Sequence, residues 1–169
     1  LSTVCWGNDA AALARRQRAA EAGALEAVVE AMRAHPQAAG VQEHGSGALR
    51  SVCGGIDAGA PARRQRAAEA GALEAVVEAM RAHPQAAGVQ EYGCVALRSV
   101  CCGIDAAAPA RRQRAAEAGA IEAVVAVLRA YPQAAGVQEQ RVAALFSIRV
   151  LRRGESMGEV KAHRLTRVL

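Results

Sequence analysis

The chain has 169 residues, 52% of them apolar by count, yet its aromatics are only Trp6, Tyr92, Tyr131 and Phe146; this is the length of one domain in which alanine and valine do most of the packing. The formal net charge of +5 does not describe a basic face, because residues 1–140 hold 14 arginines and 14 acids, and the excess falls in 141–169, with seven basic residues against two acids. No run of 18 apolar residues occurs, so no segment reads as a membrane-spanning helix, and five cysteines (Cys5, Cys53, Cys94, Cys101, Cys102) without a Cys-x-x-Cys pair fit a reducing, intracellular compartment better than a disulfide framework.

The thirty letters of residues 14–43 recur unchanged at 62–91, and residues 110–139 match them at 25 of 30 positions, a period of 48 residues. Self-similarity at such a period signals a solenoid, a propeller or an array of units that cannot bury their apolar faces alone. In this register Leu1, Val4 and Cys5 align with Leu49, Val52 and Cys53. Residues 1–13 therefore read as the end of a truncated preceding repeat, which leaves a targeting peptide and the cellular compartment open.

Residues 14–61 form repeat 1 and 62–109 repeat 2, and the unit is clearest over 58–103. "PARRQRAAEA" predicts a short helix over 61–70, with Pro61 in its first turn and Gly71 as its stop. "ALEAVVEAMRAH" predicts a second helix over 72–83, with Leu73, Val76, Val77 and Met80 at spacings of three and four, ended by Pro84. A third helix is expected over 84–102, with Val89, Gly93, Ala96, Leu97 and Val100 on one side, before Gly103. No segment alternates as a half-buried strand does, which removes the propeller.

Repeat 3 spans 110–153 and diverges in its last helix: Arg141 stands where repeats 1 and 2 have Gly45 and Gly93, and Arg149 where they have Cys53 and Cys101. Both positions are expected to face a following unit, so a fourth identical unit would bury two arginines. Residues 154–169, "GESMGEVKAHRLTRVL", read as a basic capping segment.

With these residues in view, the chain resembles the armadillo-repeat family. Gln65, Gly71, Ala72, Leu73, Val76, Val77, Val89, Gln90, Ala96, Leu97 and Val100 fill that family's pattern, and the resemblance covers residues 1 to about 153. The unit is longer than the family's usual one, with the extra residues placed in the "GGIDAGA" connection. A two-helix HEAT-type unit is the nearest rival, and the separate short helix ended by Gly71 favours armadillo. The resemblance implies an all-α fold: a right-handed α-solenoid of armadillo-like three-helix units.

It also implies binding of protein segments on the concave face made by third helices. Nuclear-import receptors of the family use a Trp and Asn ladder there, and this chain lacks it: Gly47, Val95 and Ala143 stand at the Trp position, and Ser51, Ser99 and Ser147 at the Asn position. The inferred groove comprises Glu43, His44, Arg50 and Ser51, then Glu91, Tyr92, Val95, Arg98 and Ser99, then Gln140 and Phe146. Copies differ most within it, as "HGSG", "YGCV" and "QRVA".

A basic end of Arg149, Arg152, Arg153, Lys161, Arg164 and Arg167 could dock an acidic protein or an anionic membrane surface. No catalytic constellation, cofactor loop or metal spacing is present. The function expected is a non-catalytic protein-protein interaction scaffold, or a structural subunit of a larger assembly. Nucleic-acid or polyanion binding through the arginines, and a fragment of a longer armadillo protein acting elsewhere, are the alternatives. Nucleic acid is the weaker choice, since repeats 1 and 2 balance five arginines against five acids each and lack stacking aromatics. The arginines of "ARRQR" open a helix, where cations are unfavourable. Compensation is expected from Asp57, Glu69, Glu74 or Glu78.

Overall fold

The computed structural model describes residues 9–131 and 143–145. Every element among them is an α-helix, and no strand occurs. The first unit contains α1 (Ala10–Glu21), α2 (Ala24–Ala34) and α3 (Ala39–Cys53). The second contains α4 (Ala60–Glu69), α5 (Ala72–Ala82) and α6 (Ala87–Cys101). The third supplies α7 (Ala108–Glu117) and α8 (Ala120–Ala130), with a further helical stretch at 143–145.

The corner between α4 and α5 needs only two residues, Ala70 and Gly71. Gly71 adopts φ +86°, a left-handed conformation that costs a residue with a Cβ about 1–2 kcal/mol. Its N–H bonds back to the Ala68 carbonyl at 3.0 Å, and its own carbonyl receives the Ala75 N–H at 3.1 Å, so it stops one helix and starts the next. Gly23 and Gly119 do the same in the neighbouring units, at φ +80° and +85°. α5 stops at His83, whose φ −125° and ψ +57° leave the helical region ahead of Pro84. The third helix begins at Ala87 and not at Pro84, because the Ala86 N–H first closes a turn on the His83 carbonyl.

A buried glutamine ties the second helix to the third. Gln90 is 2% exposed, and its Nε2 donates to the carbonyls of Met80 and His83, each at 2.8 Å. Gln42 repeats this on Met32 and His35 at 2.9 and 2.8 Å. These carbonyls lie at helix C-termini, where no backbone donor follows. Small residues bring the third helix close: a Cβ on Gly93 would stand 2.7 Å from Met80 Cγ, and one on Gly45 2.6 Å from Met32 Cγ. The glycine at this position therefore faces the second helix of its own unit and not, as expected from the sequence, a following unit.

One continuous apolar core runs through the units, from Leu25, Val29 and Met32 through Leu49, Leu73, Val77 and Leu97 to Val124 and Val127. α2 contacts α5, α5 contacts α8, and α3 contacts α6 most broadly.

Candidate interaction surface

The first two arginines of the second "ARRQR" copy point into the protein. Arg63 is 2% exposed; its Nε donates to the Val52 carbonyl at 2.8 Å, while its two terminal nitrogens grip Asp57 at 2.9 and 2.7 Å. Arg64 is 4% exposed and donates to the carbonyls of Cys53 and Gly55. Val52 and Cys53 end α3, so the pair fills carbonyls left unpaired at a helix C-terminus, where the dipole favours cations. The cost of two cations at the start of α4 is thereby offset by the end of α3. Arg111 and Arg112 repeat the arrangement on Val100, Asp105, Cys101 and Gly103.

The third arginine reaches back to the preceding unit. Arg66 Nε donates to Glu26 at 2.6 Å, and Arg114 Nε to Glu74 at 2.5 Å. Of the four carboxylates expected to compensate this triplet, Asp57 and Glu74 pair with arginine, Glu69 accepts from Gln65 instead, and Glu78 is exposed. The hydrogen bonds from Arg63 hold the Asp57 carboxyl below its ordinary range, and those from Arg111 hold Asp105 at about 2. In the first unit the equivalent Asp9 acts differently: it caps α1, accepting the Ala12 N–H at 2.7 Å.

The residues inferred to share a groove part company. Glu43 is half-buried and lies over Gly88 of the second unit, where a Cβ would collide with its carboxylate. His44 is exposed and lines a shallow cleft on the other side of the first unit with Val28, Ala31, Gly40, Val41, Gly45 and Ala48. Arg50 is half-buried. Ser51 is buried and Ser99 half-buried, and both donate their hydroxyls within their own helices, to Gly47 at 2.9 Å and Val95 at 2.8 Å. Glu91 and Arg98 are exposed, with Tyr92 and Val95 half-buried beside them on α6. The variation between "HGSG" and "YGCV" is partly inward, since Ser46, Gly47 and Cys94 are buried. Gln140, Phe146 and the basic end from Arg149 to Arg167 lie outside the described residues.

His83 and Tyr131, at equivalent positions, both join units. His83 Nε2 donates to the Pro36 carbonyl at 2.8 Å, and the Tyr131 hydroxyl donates to the Pro84 carbonyl at 3.2 Å. The polar contacts of Gln42, Gln90 and the arginines escape a reading based on apolar spacing, which sends polar positions outward. Their signal was the recurrence of the same polar letter in each unit. Burial pushes the thiols of Cys53 and Cys101 up to about 12, so they hold their protons at neutral pH and are poor nucleophiles. No three His, Cys, Asp or Glu side chains converge among the described residues, and no described helix is long and apolar enough to cross a membrane. No protein family, curated protein or solved structure matches the chain.

Proposed function

We propose that the chain is a non-catalytic interaction scaffold, a right-handed α-solenoid of armadillo-like units acting inside the cell. Other proteins mount on it, at the surface of its third helices and at its basic end, and it serves as one subunit of a larger assembly. One observation carries this reading. The charged contacts that join units repeat letter for letter, as Arg66 with Glu26 and Arg114 with Glu74, while an outer third-helix position changes from one unit to the next, exposed as His44 and half-buried as Tyr92. A constant seam with a varied outer surface is what a support presenting different pockets requires.

The polyanion alternative loses its main support in the same geometry, because six arginines of two "ARRQR" copies are committed to carbonyls and carboxylates of the protein itself. A photo-crosslinking residue at Tyr92 or Val95 is expected to give discrete protein adducts in native extract, whereas one at Glu69, exposed on α4, gives none. Adducts to nucleic acid alone, or equal yields at all three positions, would overturn the proposal. A titration with polynucleotide at increasing salt is the companion measurement: phosphate contacts give a steep linear log–log slope, and weak binding without that slope is expected.

A further inference from the structure

Among the described residues, the first and last of the second helices carry complementary halves of one seam. α2 and α5 have the same eleven letters, yet Ala75, Val76 and Ala79 on α5 are 3%, 2% and 3% exposed. Their equivalents Ala27 and Ala31 are exposed, Val28 is half-buried, and so is Val41, the equivalent of the fully buried Val89. At the far end the deficit is on the opposite side. Ala123, Val124 and Val127 of α8 are buried, whereas Ile121, Val125 and Leu128 are half-buried, at the positions of Leu73, Val77 and Met80, which are covered in α5.

The polar groups at the two ends match as well. Between units, a glutamate of one second helix takes the third arginine of the next unit, as Glu26 takes Arg66 and Glu74 takes Arg114. The arginine seven residues on lies over the corner glycine, Arg33 on Gly71 and Arg81 on Gly119. The outer side of the first unit presents the receiving set, exposed Arg18 and half-buried Gly23. The outer side of α8 presents the giving set, exposed Glu122 and Arg129.

We propose that two copies of this chain associate head to tail, with α8 of one seated on α2 of the other. Glu122 pairs with Arg18, Arg129 covers the Gly23 carbonyl, and Ile121, Val125 and Leu128 meet Ala27, Val28 and Ala31. The contact continues the seam that already joins α2 to α5 and α5 to α8. It is heterologous, so it propagates into open chains and does not close a dimer.

Sedimentation velocity across a concentration series tests this with the full chain. The average mass is expected to rise steadily with concentration, without a plateau at the dimer. Arg18→Glu faces Glu122 with a like charge, and Glu122→Arg faces Arg18 with one, so each variant alone is expected to stay monomeric. An equimolar mixture of the two restores opposite charges at every junction and is expected to associate again. A wild-type chain still monomeric at about 1 mM, association untouched by either substitution, or a mixture that stays monomeric would each overturn the proposal. A mass that levels off at the dimer would do so too, by showing a closed contact.

Discussion

Arg63 is 2% exposed and holds both oxygens of Asp57, while Asp57 also receives the Gly59 N–H at 3.1 Å. Two requirements meet there: a buried cation needs a counter-charge, and the loop before α4 needs an acceptor for its turn. Both carboxyls titrate below their ordinary value because the folded protein binds the ionised form, Asp105 at about 2. Their contribution is therefore complete above the unfolded pKa of about 3.9 and fades as pH falls toward about 2. The double variant Asp57→Asn with Asp105→Asn should lose stability at neutral pH, each site near or below the lower end of the roughly 3–5 kcal/mol for breaking a buried pair, since both acids keep some contact with water. Its urea midpoint should also change less between neutral pH and about pH 2 than that of the parent. Parallel acid limbs would show that these pairs do not set the acid response. Ser46 makes a smaller point: its hydroxyl is buried with no hydrogen-bond partner among the described residues, and the second unit has the fully buried Cys94 there. Removing an unsatisfied hydroxyl recovers about 1–3 kcal/mol, so Ser46→Cys should raise the urea midpoint, and a fall would mean that the hydroxyl is satisfied.

At the scale of the element, what could be read from the chain were stops and stripes. Pro61, Gly71 and Pro84 mark helix ends by local sterics, and Leu73, Val77 and Met80 mark a face by spacing, so both were legible one helix at a time. The inward arginines and glutamines were not, because what draws them in is the unpaired C-terminus of a different helix. The groove divided for a similar reason: Glu43 and His44 are adjacent in sequence, but one faces the next unit and the other the outer cleft. Two glycines of α6 separate helix propensity from packing. Alanine gains about 1 kcal/mol over glycine in a helix interior. At Gly88 the new methyl meets only the end of the half-buried Glu43 side chain, which can swing aside. At Gly93 it meets Cγ and Sδ of Met80, 3% exposed, at 2.7 and 2.8 Å, and overpacking costs about 1–3 kcal/mol. Gly88→Ala is expected to leave stability unchanged or slightly raised, and Gly93→Ala to lower it by up to about 2 kcal/mol once the helix gain is set against the overpacking. Thermal melts showing the same sign for both would contradict this.

For the molecule as a whole, stability should follow position along the array. When units contact only their neighbours, each one's protection is its own contribution plus that of its seams. α5 has a covered seam on both sides, and α2 on one. They share not only the letters of the helix but those on either side, since residues 14–43 and 62–91 are identical. Their amides therefore have the same intrinsic exchange chemistry, and any difference reports structure alone. Seven side chains of α5 are buried against three of α2, so local opening of α2 exposes less apolar surface. Native-state hydrogen exchange on a dilute, monomeric sample should find α5 amides slower than their α2 counterparts, residue for residue. Raising the concentration should then slow α2 while leaving α5 nearly unchanged, because head-to-tail contact covers only the outer seam. Equal protection in the monomer would mean that the first unit is held by something other than its seam, whereas an α2 that never responds to concentration would leave its open side without the partner proposed for it.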